Sequence, residues 1–174
     1  MDSREQILHL MNLYGFTIDT GDFDGFAELF AHGEWIMEGG ASARGKGQLQ
    51  AGMANIRVYE DRTPRTRHTT TNIDLAIDEE SGTAKCQCYV TVFQQTLEFP
   101  LQVIFSGHYF DDFERADGVW RFKKRLIRYQ LVGDMSAHVK APTKLIESRR
   151  SSTTSFPLGT LCISFGCSDT HSHL

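Results

Sequence analysis

Between Arg67 and Leu131 the chain alternates apolar and polar residues in long runs separated by turn signals. A period of two marks a strand with one face buried and one wet. The first run, Arg67 to Ile77, ends at Asp78-Glu79-Glu80-Ser81-Gly82. The second, Thr83 to Thr96, sets Ala84, Cys86, Cys88, Val90 and Val92 against Lys85, Gln87, Tyr89 and Thr91. The third, Leu101 to Phe113, turns through Glu114-Arg115-Ala116-Asp117-Gly118 into the last, Val119 to Leu131. Asp117-Gly118 is a strong hairpin signal, because the tight turns that suit twisted strands need positive φ at both central positions. Antiparallel strands that share an apolar face require a second layer to cover it.

That layer is predicted upstream. Ser3 with Gln6 three residues on is a capping-box pattern. Ile7, Leu8, Met11, Tyr14, Gly15 and Ile18 then recur at helical spacing, so a first helix is expected from about residue 4 to about 19. Thr20-Gly21-Asp22 ends it and caps a short second helix with Phe23, Phe26, Ala27, Leu29 and Phe30. Glu34 to Glu38 reads as a strand ended by Gly39-Gly40, with Trp35 and Met37 on one face. Leu49, Met53 and Ile56 are spaced for a third helix over about 47–57. The expected fold is α+β, with N-terminal helices packed in the concave face of a curved, mostly antiparallel sheet, a cone-like α+β barrel whose hollow is a natural pocket.

One domain is expected over about 1–140. From Ala141 the pattern dissolves into a low-complexity, hydroxyl-rich tail, 141–174, which includes Ser148-Arg149-Arg150-Ser151-Ser152-Thr153-Thr154-Ser155 and reads as disordered. Within it Leu161, Ile163 and Phe165 suit either an edge strand or docking on another subunit.

A net charge of −4 gives no electrostatic footprint for nucleic acid. The basic run Arg121-Phe122-Lys123-Lys124-Arg125 divides between two strand faces. There is no apolar core of a signal peptide after Met1 and no run long enough to span a bilayer, so the default expectation is a cytoplasmic protein without membrane contact. Cys86 and Cys88 lie side by side on a strand, Cys162 and Cys167 fall in the tail, and no CxxC pair occurs, so no metal site is expected. His171-Ser172-His173 is too short to argue for one.

The residues that carry chemistry are Asp19, at the end of the first helix, and His68, at the start of the first long strand. A carboxylate beside an imidazole fixes the tautomer through one ring nitrogen and leaves the other free to take a proton from substrate. Spacing does not bring them together; the fold must. Asp19 could instead cap the turn, although Thr20 and Asp22 already offer capping groups there. A histidine on an apolar strand is more often a satisfied core residue. Tyr14 serves equally as packing aromatic or substrate contact. Trp35 is core or pocket wall, and Asn72, four residues beyond His68 on the same strand face, lines the pocket or satisfies a strand edge. His108 and Arg125 complete the candidates for substrate binding.

The element order and local sequences resemble the SnoaL-like group of the nuclear transport factor 2 superfamily over roughly residues 3–135. The stretches that carry the resemblance are Ile7 to Asp19 with Phe26-Ala27-Glu28-Leu29-Phe30, Glu34-Trp35-Ile36-Met37-Glu38-Gly39, His68-Thr69-Thr70-Thr71-Asn72, Gly107-His108-Tyr109-Phe110-Asp111, and Asp117-Gly118-Val119-Trp120-Arg121-Phe122-Lys123-Lys124-Arg125. Within the superfamily the pattern is most similar to hexachlorocyclohexane dehydrochlorinase, scytalone dehydratase and bile-acid 7α-dehydratase, cofactor-free lyases with an Asp–His pair. The resemblance implies Asp19 and His68 as that pair, Tyr14 as a pocket tyrosine and Arg125 as a group that assists the leaving group. It departs where the bile-acid enzyme has a second acid, since Tyr89-Val90-Thr91-Val92 holds no carboxylate, and where scytalone dehydratase has a second histidine, which His108 matches only approximately. It implies a cofactor-independent lyase or isomerase acting on a hydrophobic cyclic small molecule, assembled as a homo-oligomer (dimer or trimer). The alternative is a non-catalytic binding or scaffold module, similar to the β subunits of ring-hydroxylating dioxygenases.

Overall fold

The computed structural model describes residues 1–141, so the tail beyond Ala141, with its candidate edge strand or docking segment at Leu161, Ile163 and Phe165, falls outside the described residues. Helix α1 spans Ser3–Thr20, α2 Phe23–Glu28 and α3 Gly45–Met53. Strands β1 Glu34–Met37, β2 Ser42–Arg44, β3 Thr66–Asp78, β4 Thr83–Gln94, β5 Gln102–Ala116 and β6 Val119–Val132 form one sheet in the order β2-β1-β6-β5-β4-β3. The β3 to β6 meander is antiparallel throughout, whereas β1 runs parallel to β6. This is the expected α+β architecture, helices in the hollow of a curved sheet. No helix among the described residues is long and apolar enough to cross a membrane.

The first helix begins one residue earlier than the Ser3/Gln6 pattern suggested. Asp2 is the cap: its carboxylate accepts from the Glu5 N–H at 2.8 Å, and the Glu5 carboxylate accepts from the Asp2 N–H at 3.0 Å. The two patterns overlap in sequence, and ionised acceptors make the stronger bonds. Ile7, Met11, Tyr14 and Ile18 form the buried stripe of α1, which lies against β3 and β6. Each such side chain contributes about 1.5–3 kcal/mol by leaving water. Gly21 ends the helix at φ 77°, and a Cβ there would stand 2.2 Å from the Arg62 carbonyl oxygen. That stop holds the last turn, which bears Asp19, against the start of β3. The third helix ends at Met53 rather than near residue 57, and β2, too short for its alternation to register, was not anticipated.

Asp117 and Gly118 both have positive φ, at 51° and 80°, as the tight β5–β6 turn demands. Of the four register shifts in the sheet, two bear on the candidate residues. The β3–β4 register slips between Thr71 and Asp74, and Asn72 sits there at φ 55°. The β5–β6 register slips so that Phe113 pairs with Phe122 while Asp112 pairs with Lys124, which leaves Lys123 as the extra residue. Such bulges exchange the inward and outward sets beyond them. After β6 the chain returns over the hollow and is tied to the α3–β3 connection. Arg57 N–H donates to the His138 carbonyl at 2.8 Å, Lys140 N–H to the Asn55 carbonyl at 2.9 Å, and the Tyr59 hydroxyl to the Ala137 carbonyl at 2.6 Å.

Candidate active site

The helices, the concave sheet face and the returning segment enclose a cavity of about 190 Å³. Its wall is mostly apolar, and its hydrogen-bonding groups include Tyr14 from α1, Trp35 from β1, His68 from β3 and His138 from the returning segment. Tyr109 and Tyr129, from β5 and β6, complete the aromatic lining. An apolar cavity of about 150 Å³ accepts benzene, so a compact ring is the scale of molecule that fits.

Asp19 and His68 meet. The Asp19 Oδ1 atom lies 2.7 Å from His68 Nδ1, and its Oδ2 atom accepts from the His68 backbone N–H at 2.8 Å. The Thr66 hydroxyl donates to the same Oδ1 at 2.7 Å. Because the carboxylate accepts at Nδ1, it selects the tautomer protonated there and leaves Nε2 as the ring's acceptor. Burial alone would raise the Asp19 carboxyl, but the hydrogen bonds and charge attraction from His68, with the Thr66 hydroxyl, outweigh it and hold the group below its ordinary value.

Tyr14 stands beside this pair, its ring centroid 6.2 Å from that of His68. The Trp35 Nε1–H donates to its hydroxyl oxygen at 3.1 Å, and the Tyr109 phenol is hydrogen-bonded to it as well. Burial pushes the Tyr14 phenol up, against the opposing pull of the Arg125 charge. It therefore stays protonated and available as a donor.

Three expected substrate contacts lie elsewhere. Arg125 is 0% exposed and is not part of the cavity wall. It holds Asp111 in a two-pronged pair, Nε to Oδ1 at 2.8 Å and Nη2 to Oδ2 at 2.6 Å. Its guanidinium carbon is 4.1 Å from the centroids of both the Tyr14 and Tyr109 rings. Strict alternation would set Arg125 on the face opposite Trp120 and Phe122; the extra residue Lys123 turns it inward, beneath the cavity wall. His108 is on the outer face, since its neighbour Tyr109 takes the inner one, and packs against Phe110 and Tyr89 with centroids 4.2 and 5.0 Å apart. Asn72 is exposed at the β3 bulge, which breaks the shared face with His68 on which its placement depended. Conversely, Thr66, Tyr129 and His138 were not anticipated. Thr66 precedes the alternating run, and His138 follows the last strand, where no periodicity points to a face. Among the described residues no group of three His, Cys, Asp or Glu is placed to hold a metal ion, and Cys86 and Cys88 are buried free thiols.

A helix-borne carboxylate clasping a strand-borne histidine beside an apolar cavity, within a cone of mostly antiparallel strands, defines the class of α+β domain. The chain belongs to the SnoaL-like domain family, of the nuclear transport factor 2-like type, whose profile matches residues 1–126. Among solved structures it is similar to a singly substituted form of Rv3472, a Mycobacterium tuberculosis protein of unknown function, at 26% identity over 74% of this chain and 72% of that one, with a TM-score of 0.61. A nuclear transport factor 2-like protein with a cystatin-like fold from Novosphingobium aromaticivorans shares the fold at 24% identity and TM-score 0.64, covering 78% of this chain and 86% of that one. LinA shares it at 20% identity and TM-score 0.61, covering 80% and 94%. Among curated proteins none matches the chain by sequence.

Proposed function

We propose that the protein is a cofactor-independent lyase or isomerase that acts on a hydrophobic cyclic small molecule by general-base proton abstraction. The observation that carries this reading is the 2.7 Å contact between Asp19 and His68 at the wall of an apolar cavity. His68 Nε2 takes a proton from a carbon of the bound ring. The C–H electron pair then forms a double bond, either as a leaving group departs with its bonding pair or as the proton returns at another carbon. Asp19 orients the imidazole and stabilises the imidazolium that forms. Tyr14, kept protonated by burial, donates to the oxygen or leaving group on which negative charge develops. Arg125 does not touch the ligand; it acts through the rings of Tyr14 and Tyr109, which it supports from beneath.

The test is turnover of a panel of cyclic β-hydroxy ketones and halogenated cyclohexanes by wild type and by His68→Gln. Removing a general base costs about 10²–10⁴-fold in rate. A variant within a few-fold of wild type on a substrate that wild type turns over would end the general-base reading. A wild type that binds panel members and turns over none would leave a binding module.

A further inference from the structure

Four buried side-chain nitrogen or oxygen atoms among the described residues lack a hydrogen-bond partner: Gln94 Oε1, Trp120 Nε1, Arg125 Nη1 and His138 Nδ1. Of the four residues only His138 forms part of the cavity wall. His138 is 9% exposed, and among the described residues its Nδ1 atom has no hydrogen-bond partner. A buried imidazole so left has either a bound partner or an uncompensated loss of solvation.

The backbone around it is fixed. The His138 N–H donates to the Met135 carbonyl at 2.9 Å, its carbonyl accepts from Arg57 at 2.8 Å, and Gln94 Nε2 donates to the neighbouring Ala137 carbonyl at 3.0 Å. The Ile56–Val139 bridge and the Lys140 to Asn55 bond continue the tie on the other side. A segment held at so many backbone points places His138 in the cavity wall, whose other residues include the apolar Met135, Val139 and Ile104. Burial and the neighbouring His68 push the imidazole down to about 4, so it is neutral, with one donor and one acceptor nitrogen.

We propose that His138 is a substrate-contacting residue whose imidazole hydrogen-bonds a ring-borne oxygen, so that the cavity selects a compact apolar ring bearing a hydroxyl group over the bare hydrocarbon. A hydroxyl both donates and accepts, and so suits a neutral imidazole in either tautomer. The assignment of this group as part of a substrate rests on the lyase reading; the contact itself does not.

The probes are 4-methylphenol and its near-isostere 1,4-dimethylbenzene, added to the full chain. The phenol is expected to bind wild type about five- to tenfold more tightly, as one added hydrogen bond allows, and to shift the ring nitrogen resonances of His138. His138→Phe is expected to bring the two probes within about twofold of each other, and His138→Asn to restore part of the preference. A preference untouched in His138→Phe, or His138 resonances that the phenol moves no more than the hydrocarbon does, overturns the proposal. So does failure of both probes to bind. The wild-type resonances decide the matter if His138→Phe does not fold. The two readings fail separately: undiminished turnover in His68→Gln ends the lyase reading, whereas the phenol preference of wild type and of His138→Phe is read from binding alone, without turnover.

Discussion

The Asp19 carboxylate accepts two hydrogen bonds from His68, one from the ring at 2.7 Å and one from the backbone N–H at 2.8 Å. One residue thus sets the position of the strand start and the tautomer of the ring together. Asp19→Asn keeps the shape but removes the charge and one acceptor. It is expected to lower stability by about 1–3 kcal/mol, read from urea unfolding, and to lower turnover without displacing β3. Unchanged stability together with unchanged turnover would remove the pair from any account of the site.

The same carboxylate predicts an acid limb. Folding holds Asp19 below its free value of 3.8. A group depressed in the folded state adds stability that is complete above the unfolded pKa and is lost as pH falls through the folded one. The stability difference between wild type and Asp19→Asn should therefore stay constant from neutral pH down to about 4 and shrink below it. A difference already shrinking above about pH 5 would mean that burial wins and the carboxyl is raised.

Arg125 and Asp111 form a fully buried pair and are register partners facing each other across β5 and β6. Burial pushes the Asp111 carboxyl up against the pull of Arg125, so removing the cation leaves a costly group behind. Arg125→Met is expected to cost about 3–5 kcal/mol, and Asp111→Leu placed on top of it to recover much of that. Denaturant midpoints of the single and double variants measure both numbers. A single variant costing under about 1 kcal/mol would show the pair to be dispensable.

Tyr14→Phe tests the donor beside the dyad. It removes the acceptor of the Trp35 Nε1–H and the proton aimed at developing charge. Loss of one such donor is expected to lower kcat by about 10²–10³-fold, with KM little changed. A change confined to KM would make Tyr14 a binding group only.

The outer face of the sheet carries exposed Tyr89 beside His108 and Phe110. We expect a homo-oligomer, dimer or trimer, that uses this face, and Tyr89→Arg to shift it toward monomer in light scattering on a sizing column. A monomeric wild type would remove this expectation and leave the aromatic cluster as surface.

What the sequence by itself determined follows from its two periods. The helical spacing of Ile7, Met11, Tyr14 and Ile18 placed Tyr14 on the buried stripe and Asp19 at the helix end, and strand alternation placed Trp35 inward. Turn chemistry at Asp117-Gly118 located the β5–β6 hairpin. Those signals are local, and local energetics decide them. The tertiary structure alone decided the rest. Whether Asp19 reached His68 depended on how α1 packs across β3. Arg125 went inward and Asn72 outward because single extra residues shifted the register, and a bulge leaves the composition of a strand unchanged while reversing its faces. His138 entered the wall from an aperiodic segment held by backbone hydrogen bonds, which every residue but proline can make and no side-chain pattern announces.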